Sequence, residues 1–296
     1  MNTKSLLIGL LIGIGVMLFC IATSVVMIFL VRSKGTLLTG NAIGVVEMKG
    51  MIVDSTEINN QLREFLENDR IKVVVLRVDS PGGVVGPSQE IYEEVRKFSA
   101  KKKLIVSMGS VAASGGYYIS APATMIYANP GTLTGSIGVL MKLTNVQGLL
   151  GKIGMSSFVL KSGKFKDSGS PVRPMTSEER QLFQGVIDSM HSQFVRAVAE
   201  GRKLPVSKIS DLADGRVFTG EQALQAKLVD KIGNFQDAVD AAAKMAGIEG
   251  KPKLIYPEEK RKSLLSLLVE GTSDRIAEKL KIESGLKAVY EMPGGN

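Results

Sequence analysis

The chain has no tryptophan, a single cysteine (Cys20) and a single histidine (His191) among its 296 residues. One cysteine excludes an intrachain disulfide framework and any thiolate metal cluster. One histidine excludes a multi-histidine zinc site and makes any Ser-His-Asp triad depend on His191 alone. No metal and no cofactor are expected. Aromatic residues make up only 5%, which leaves few stacking platforms for single-stranded nucleic acid, and no nucleic-acid partner is expected. Charge is not concentrated in one block. The formal net charge of +8 is spread along the chain and suits an anionic membrane surface at least as well as nucleic acid. What is present is a globular balance, 44% hydrophobic and 22% charged. That excludes a wholly disordered chain and fits one or two domains.

Residues 5–31 contain no charged side chain. This run exceeds the roughly 20 residues that a bilayer-spanning helix needs, and is longer than the about 7–15 apolar residues of a cleaved signal peptide. We therefore expect residues 1–31 to form a short N-terminal segment and an uncleaved transmembrane helix. Cys20 lies within it, preceded by Phe19 where a lipidation site wants a small residue, and reads as an inert apolar side chain. Lys4 on one side and Arg32 and Lys34 on the other barely discriminate its orientation. Residues 32–41 read as a tether.

The soluble part alternates between two periodicities. Strands are expected at 44–48, 73–78, 104–108 and 125–128, and a further one at 157–160. Asp54 and Ser55 can cap a helix to about residue 68, with Ile58, Leu62 and Leu66 at four-residue spacing. The run at 73–78 is apolar except for Arg77, as expected of a buried parallel strand. Further helices are expected at 87–98 and from about Ser114. Thr176 and Glu179 form a capping-box pattern that opens a long helix to about residue 200, and helices follow at 220–227 and 235–245. This rhythm predicts an α/β domain with right-handed crossovers. Residues 161–173, basic with Ser and Gly interleaved, read as a loop. From residue 250 the chain becomes basic and amphipathic, with Lys260, Arg261 and Lys262 before Leu264, Leu265, Leu267 and Leu268. Such a tail suits a membrane surface, a neighbouring subunit or its own domain.

Two clusters can carry chemistry. Asp79-Ser80-Pro81-Gly82-Gly83 follows an apolar strand, and paired glycines let backbone amides approach a ligand and hold an oxyanion. The plain alternative is a turn. Ser110 to Tyr118 reads SVAASGGYY. A Ser before Gly-Gly at a helix start can expose its hydroxyl and offer the next N–H to a developing negative charge; the alternative is an ordinary N-cap. A serine nucleophile needs a base. His191 sits among polar residues in the long helix and reads as a surface side chain. A lysine serves where a dry setting lowers its pKa, because only the neutral amine accepts a proton. Lys161, Lys164 and Lys166 are candidates, and spacing does not choose among them.

A membrane anchor followed by VDSPGG, SMGSVAASGGYYIS, GTLTGSIGV and KSGKFKD closely resembles the short, single-unit members of the bacterial signal peptide peptidase A family. The resemblance covers about residues 42–248 and places the chain in the Clp-protease/crotonase superfamily. It implies an α/β fold of repeated ββα units over residues 42–249, with residues 250–296 as a tail. It also implies a serine peptidase with a Ser-Lys dyad. Ser114 resembles the nucleophile and Lys166 the general base. Gly83 and Gly115 resemble the oxyanion-hole donors, and Ser136 the hydroxyl that orients the lysine.

The resemblance further implies cleaved signal peptides and other apolar, extended peptides as substrates, in the manner of strand addition to a sheet edge. The partners implied are the membrane and further copies of the chain, in a closed ring of about eight. Ser114 would meet its own Lys166 or a neighbour's. The catalytic domain would lie outside the cytoplasm, on the plasma membrane. Two alternatives keep the same fold: a crotonase-like acyl-CoA enzyme, and a membrane scaffold without activity.

Overall fold

The computed structural model describes residues 13–24, 26–27, 42–258 and 289–291. Residues 13–24 and 26–27 are helical with exposed side chains, Cys20 included. They belong to a unit, residues 1–41, distinct from the remainder. Among the described residues no helix is long and apolar enough to cross a membrane. The rest of the 5–31 run, the 32–41 tether and the leucine-rich stretch at 264–268 lie outside the described residues.

The second unit runs β1 (Ala42–Lys49), α1 (Thr56–Glu67), β2 (Ile71–Ser80), β3 (Gly82–Val84), α2 (Val85–Lys101), β4 (Lys103–Ala113), α3 (Gly115–Ser120), β5 (Met125–Ala128) and β6 (Leu133–Gly135). It continues with α4 (Gln147–Lys152), α5 (Ser177–Arg202), α6 (Val206–Ser210), β7 (Val217–Phe218), α7 (Gly220–Gln225), β8 (Lys231–Ile232), α8 (Phe235–Met245), β9 (Lys253–Ile255) and β10 (Val289–Glu291). The main sheet has the order β7-β6-β4-β2-β1-β9, with β5 and β8 branching from β4. Its pairs are parallel except β6 with β7. The helices between strands are the crossovers that parallel pairing demands.

Strand β2 shows why the sheet is buried on both faces. Side chains alternate across a strand. Val73 and Val75 join Ile43, Ile105, Val239 and Ala242 on the side covered by α8. Val74, Leu76 and Val78 face the other way, into a core with Leu62, Phe65, Ile91, Phe98 and Phe194 from α1, α2 and α5. Leu76 is fully buried; cutting it to Ala would cost about 2–5 kcal/mol. The one charge in the run is satisfied locally. Arg77 donates to Ser107 Oγ at 2.8 Å and to the Met108 carbonyl at 2.9 Å.

The helix-start expectations hold at several ends. Asp54 Oδ1 accepts from Thr56 N–H at 2.8 Å, and Thr176 and Glu179 form the expected capping box at the start of α5. Two local expectations are corrected. Residues 157–160 are not a strand but an exposed irregular stretch, with Phe158 91% exposed. An apolar run reads as a strand only where a neighbouring strand pairs with it, and none does here. His191 is half-buried rather than superficial, and its Nε2 lies 2.7 Å from the Ala213 carbonyl. A parallel strand beyond residue 250 also extends the sheet, since β9 pairs with β1 from Ala42 to Gly44.

Candidate active site

Strand β4 ends at Ala113 and helix α3 begins at Gly115. Ser114 is the single residue that turns the chain between them, at φ 52° and ψ −117°. A residue with a Cβ in this region costs of order 1–3 kcal/mol and persists only where its surroundings enforce it. Here they do. Ser114 N–H donates to the Gly135 carbonyl at 2.8 Å, and its own carbonyl accepts from Tyr118 N–H at 2.8 Å. Ser114 Oγ is buried and has no hydrogen-bond partner among the described residues. A buried hydroxyl without a partner calls for a physical reason, and a role in chemistry is one.

Helix α3 is fixed from behind. Tyr117 is fully buried and its hydroxyl donates to the Leu228 carbonyl at 2.9 Å. Burial pushes its phenol far above the usual range, so it stays a neutral donor. Tyr118 packs between Tyr92 and Phe194, with ring centroids 4.9 and 4.8 Å apart.

The Gly-Gly of both sequence clusters meets in front of Ser114. A Cβ on Gly115 would lie 2.7 Å from Ser88 Oγ and 3.1 Å from the Gly83 nitrogen. A Cβ on Gly83 would lie 2.1 Å from the Ile52 carbonyl oxygen. Both positions are therefore restricted to glycine by close approach, and the two backbones lie side by side. Ser80 Oγ accepts from Gly82 N–H at 3.1 Å and fixes the turn before them. Ser136 is buried directly after Gly135, the residue whose carbonyl holds Ser114. It too has a positive φ, 50°. With His191, Ile187, Asp188 and Leu140 it lines a cavity of 320 Å³. His191 has its Nε2 engaged with Ala213, and the Ser114 hydroxyl has no imidazole partner.

The lysine loop is arranged differently. Lys161 is paired with Asp167 at 2.5 Å and Lys164 with Glu178 at 2.9 Å. Lys166 makes no ion pair among the described residues and is exposed. Its neighbour Asp167 accepts from Arg173 Nε at 2.8 Å, and Arg173 also pairs with Glu179. The Arg173 guanidinium, with the Lys161 ammonium, holds the Asp167 carboxyl well below its usual range. Arg173, together with the Thr176 amide, lowers Glu179 to about 2. Within one chain Lys166 does not reach Ser114 Oγ. Ser114, Gly83, Gly115 and Ser136 are thus brought together, and Lys166 stands apart on an exposed loop.

Sequence reasoning missed Ser88, Ile52 and Arg173. The first two act through tertiary contact and leave no local signature. Arg173 had one: it lies three residues before the Thr176 cap, within reach of the capping glutamate.

The Clp protease family model matches residues 44–132. The chain is 40% identical over 252 residues to a protein of Synechocystis sp. named as a protease, covering 84% of this chain and 91% of that one. It is 38% identical over 216 residues to a protein of Enterococcus faecium named as a signal peptide peptidase, covering 67% of this chain and 62% of that one. It is 38% identical over 221 residues to Protease 4 of Salmonella typhi, where the match covers 71% of this chain but 36% of the relative. The model of peptidase family S49 matches residues 96–249, and the chain belongs to that family.

Proposed function

We propose that the chain is a membrane-anchored serine endopeptidase in which Ser114 is the nucleophile and Lys166 the general base. Its substrates would be cleaved signal peptides and other unfolded, membrane-associated apolar segments, and its catalytic domain would lie outside the cytoplasm. The observation that carries this reading is the partnerless Ser114 hydroxyl on an enforced turn, beside the amides of two obligatory glycines.

The chemistry follows from these groups. The neutral Lys166 amine takes the Ser114 proton, and Oγ attacks a peptide carbonyl. The oxyanion is held by the N–H groups of Gly83 and Gly115; one such donor is worth about 10²–10³ in kcat. The lysinium protonates the leaving amine, and the acyl-enzyme is hydrolysed by water activated by the same lysine. Ser136 would orient the lysine amine.

Two observations support a dyad completed by a second copy of the chain. Among the described residues Ser114 Oγ has no hydrogen-bond partner. The segment leading to Lys166 exposes Leu149, Met155, Phe158 and Leu160, an apolar surface of the kind a subunit contact covers. A closed ring of about eight copies satisfies every such contact at once.

Acyl-enzyme capture tests the nucleophile. Full-length protein in detergent, incubated with a slowly turned-over peptide ester, should gain the acyl mass on the tryptic peptide that contains Ser114. Ser114→Ala should gain none. Equal labelling of both forms would sink the assignment.

A further inference from the structure

Strand β2 ends at Ser80, and β3 begins at Gly82. The pairing of β2 with β4 shifts register between Val78 and Ser80. An irregularity of this kind re-aims the side chain beside it. Asp79 pins the shift, its Oδ1 accepting from the Val111 N–H at 3.1 Å. Ser80 is fully buried. Its Oγ accepts from the Gly82 N–H at 3.1 Å and donates to the Gly82 carbonyl at 3.4 Å. That carbonyl also accepts from the Ile52 N–H at 2.8 Å. Gly82 stands at φ 112°, a conformation that suits glycine because it has no Cβ.

The Gly82 C=O and the Gly83 N–H belong to one planar, trans peptide unit and point in opposite directions. Holding the carbonyl from one side therefore aims the Gly83 N–H to the other. The bonds accepted by the carbonyl also polarise the unit and strengthen its N–H as a donor. This is the N–H to which the proposed mechanism gives the oxyanion. Ser80 touches the second donor segment as well. A Cβ on Gly116 would lie 2.7 Å from the Ser80 carbonyl oxygen and 3.4 Å from the Ser80 Cβ, so the residue after Gly115 rests directly on Ser80. We propose that Ser80 is a positioning residue for the oxyanion hole, whose hydroxyl orients the peptide unit that carries the Gly83 N–H. This rests on the peptidase reading above.

The test compares wild type, Ser80→Ala and Ser80→Cys as full-length protein in detergent, with an apolar peptide as substrate and a peptide boronic acid as probe. The boronic acid bonds to Ser114 Oγ and sets an oxygen where the oxyanion would lie. Rates are taken per Ser114 titrated by the probe, so an unfolded fraction does not count. Ser80→Ala should lose about 10- to 100-fold in kcat, less than the about 10²–10³ of losing a donor outright. Its KM should stay within about twofold, and the midpoint of its pH profile should not move, because the base is untouched. The probe should bind more weakly by the same factor that kcat/KM falls. Ser80→Cys keeps the shape with a weaker donor and acceptor and should fall between the two; it decides the matter if Ser80→Ala does not fold. The inference is overturned if the folded variants keep wild-type kcat. It is overturned equally if kcat falls while the probe binds as tightly as before, since the loss then lies outside the oxyanion hole. A wild type that neither hydrolyses peptide nor binds the probe instead removes the peptidase reading beneath it.

Discussion

At Ser114 the backbone holds a conformation that a side chain normally avoids, and two hydrogen bonds keep it there. The glycines facing it are fixed by distance, not by turn chemistry alone. Gly83→Ala would drive a Cβ into the Ile52 carbonyl at 2.1 Å. We expect β3 to shift and kcat to fall by at least about 100-fold, with the far-UV circular dichroism spectrum retained. Unchanged kcat would show that the Gly83 amide does not hold the oxyanion. These residues were legible in the sequence because Gly-Gly after a strand, and Ser-Gly-Gly before a helix, are local patterns. Their meeting in space was not legible, since it depends on Ile52 and Ser88, whose roles arise only when β3 and α2 pack. His191 shows the opposite failure. Its polar neighbours suggested a surface position, but it is half-buried, with Nε2 2.7 Å from the Ala213 carbonyl.

At the scale of elements, the helices and central strands were readable where burial and capping agree, as at 125–128, 235–245 and the Thr176 cap. The 157–160 stretch was not, because its apolar side chains find no packing partner among the described residues. Helix α3 is short and depends on Tyr117; Tyr117→Phe leaves the buried Leu228 carbonyl unpaired and should cost about 1–3 kcal/mol, read as a lowered denaturant midpoint. The loop bearing Lys166 depends on Arg173, which ties Asp167 to Glu179. Glu179 sits at about 2 in the fold, against an ordinary 4.5. A depressed carboxyl stabilises fully above its unfolded value and loses that contribution as pH falls through its folded one. Melting temperature should therefore drop as pH falls from about 4.5 towards 2, and Glu179→Gln should flatten part of that slope. An identical slope in both forms would remove the clamp from the account.

For the whole molecule, the isolated chain leaves Lys166 away from Ser114 and an apolar segment in solvent. Both follow if a second copy completes the site. Inactive Ser114→Ala and inactive Lys166→Ala chains, unfolded and reassembled together in equal amounts, should then recover activity. Random assembly leaves about a quarter of the boundaries with both groups intact. A mixture as inactive as its components would place the dyad within one chain. Leu160→Glu should dissociate the assembly, seen as a smaller mass by light scattering, with activity lost in parallel.

A pH profile separates a lysine-activated serine from any other base. Hydrolysis of an apolar peptide by the full-length protein would be followed from about pH 6 to 10, for wild type, Ser114→Ala and Lys166→Ala. Because only a neutral amine accepts a proton, the account predicts wild-type activity that rises with pH and two folded variants without activity. A wild-type optimum near pH 5, or a Lys166→Ala form that keeps its rate, would contradict it.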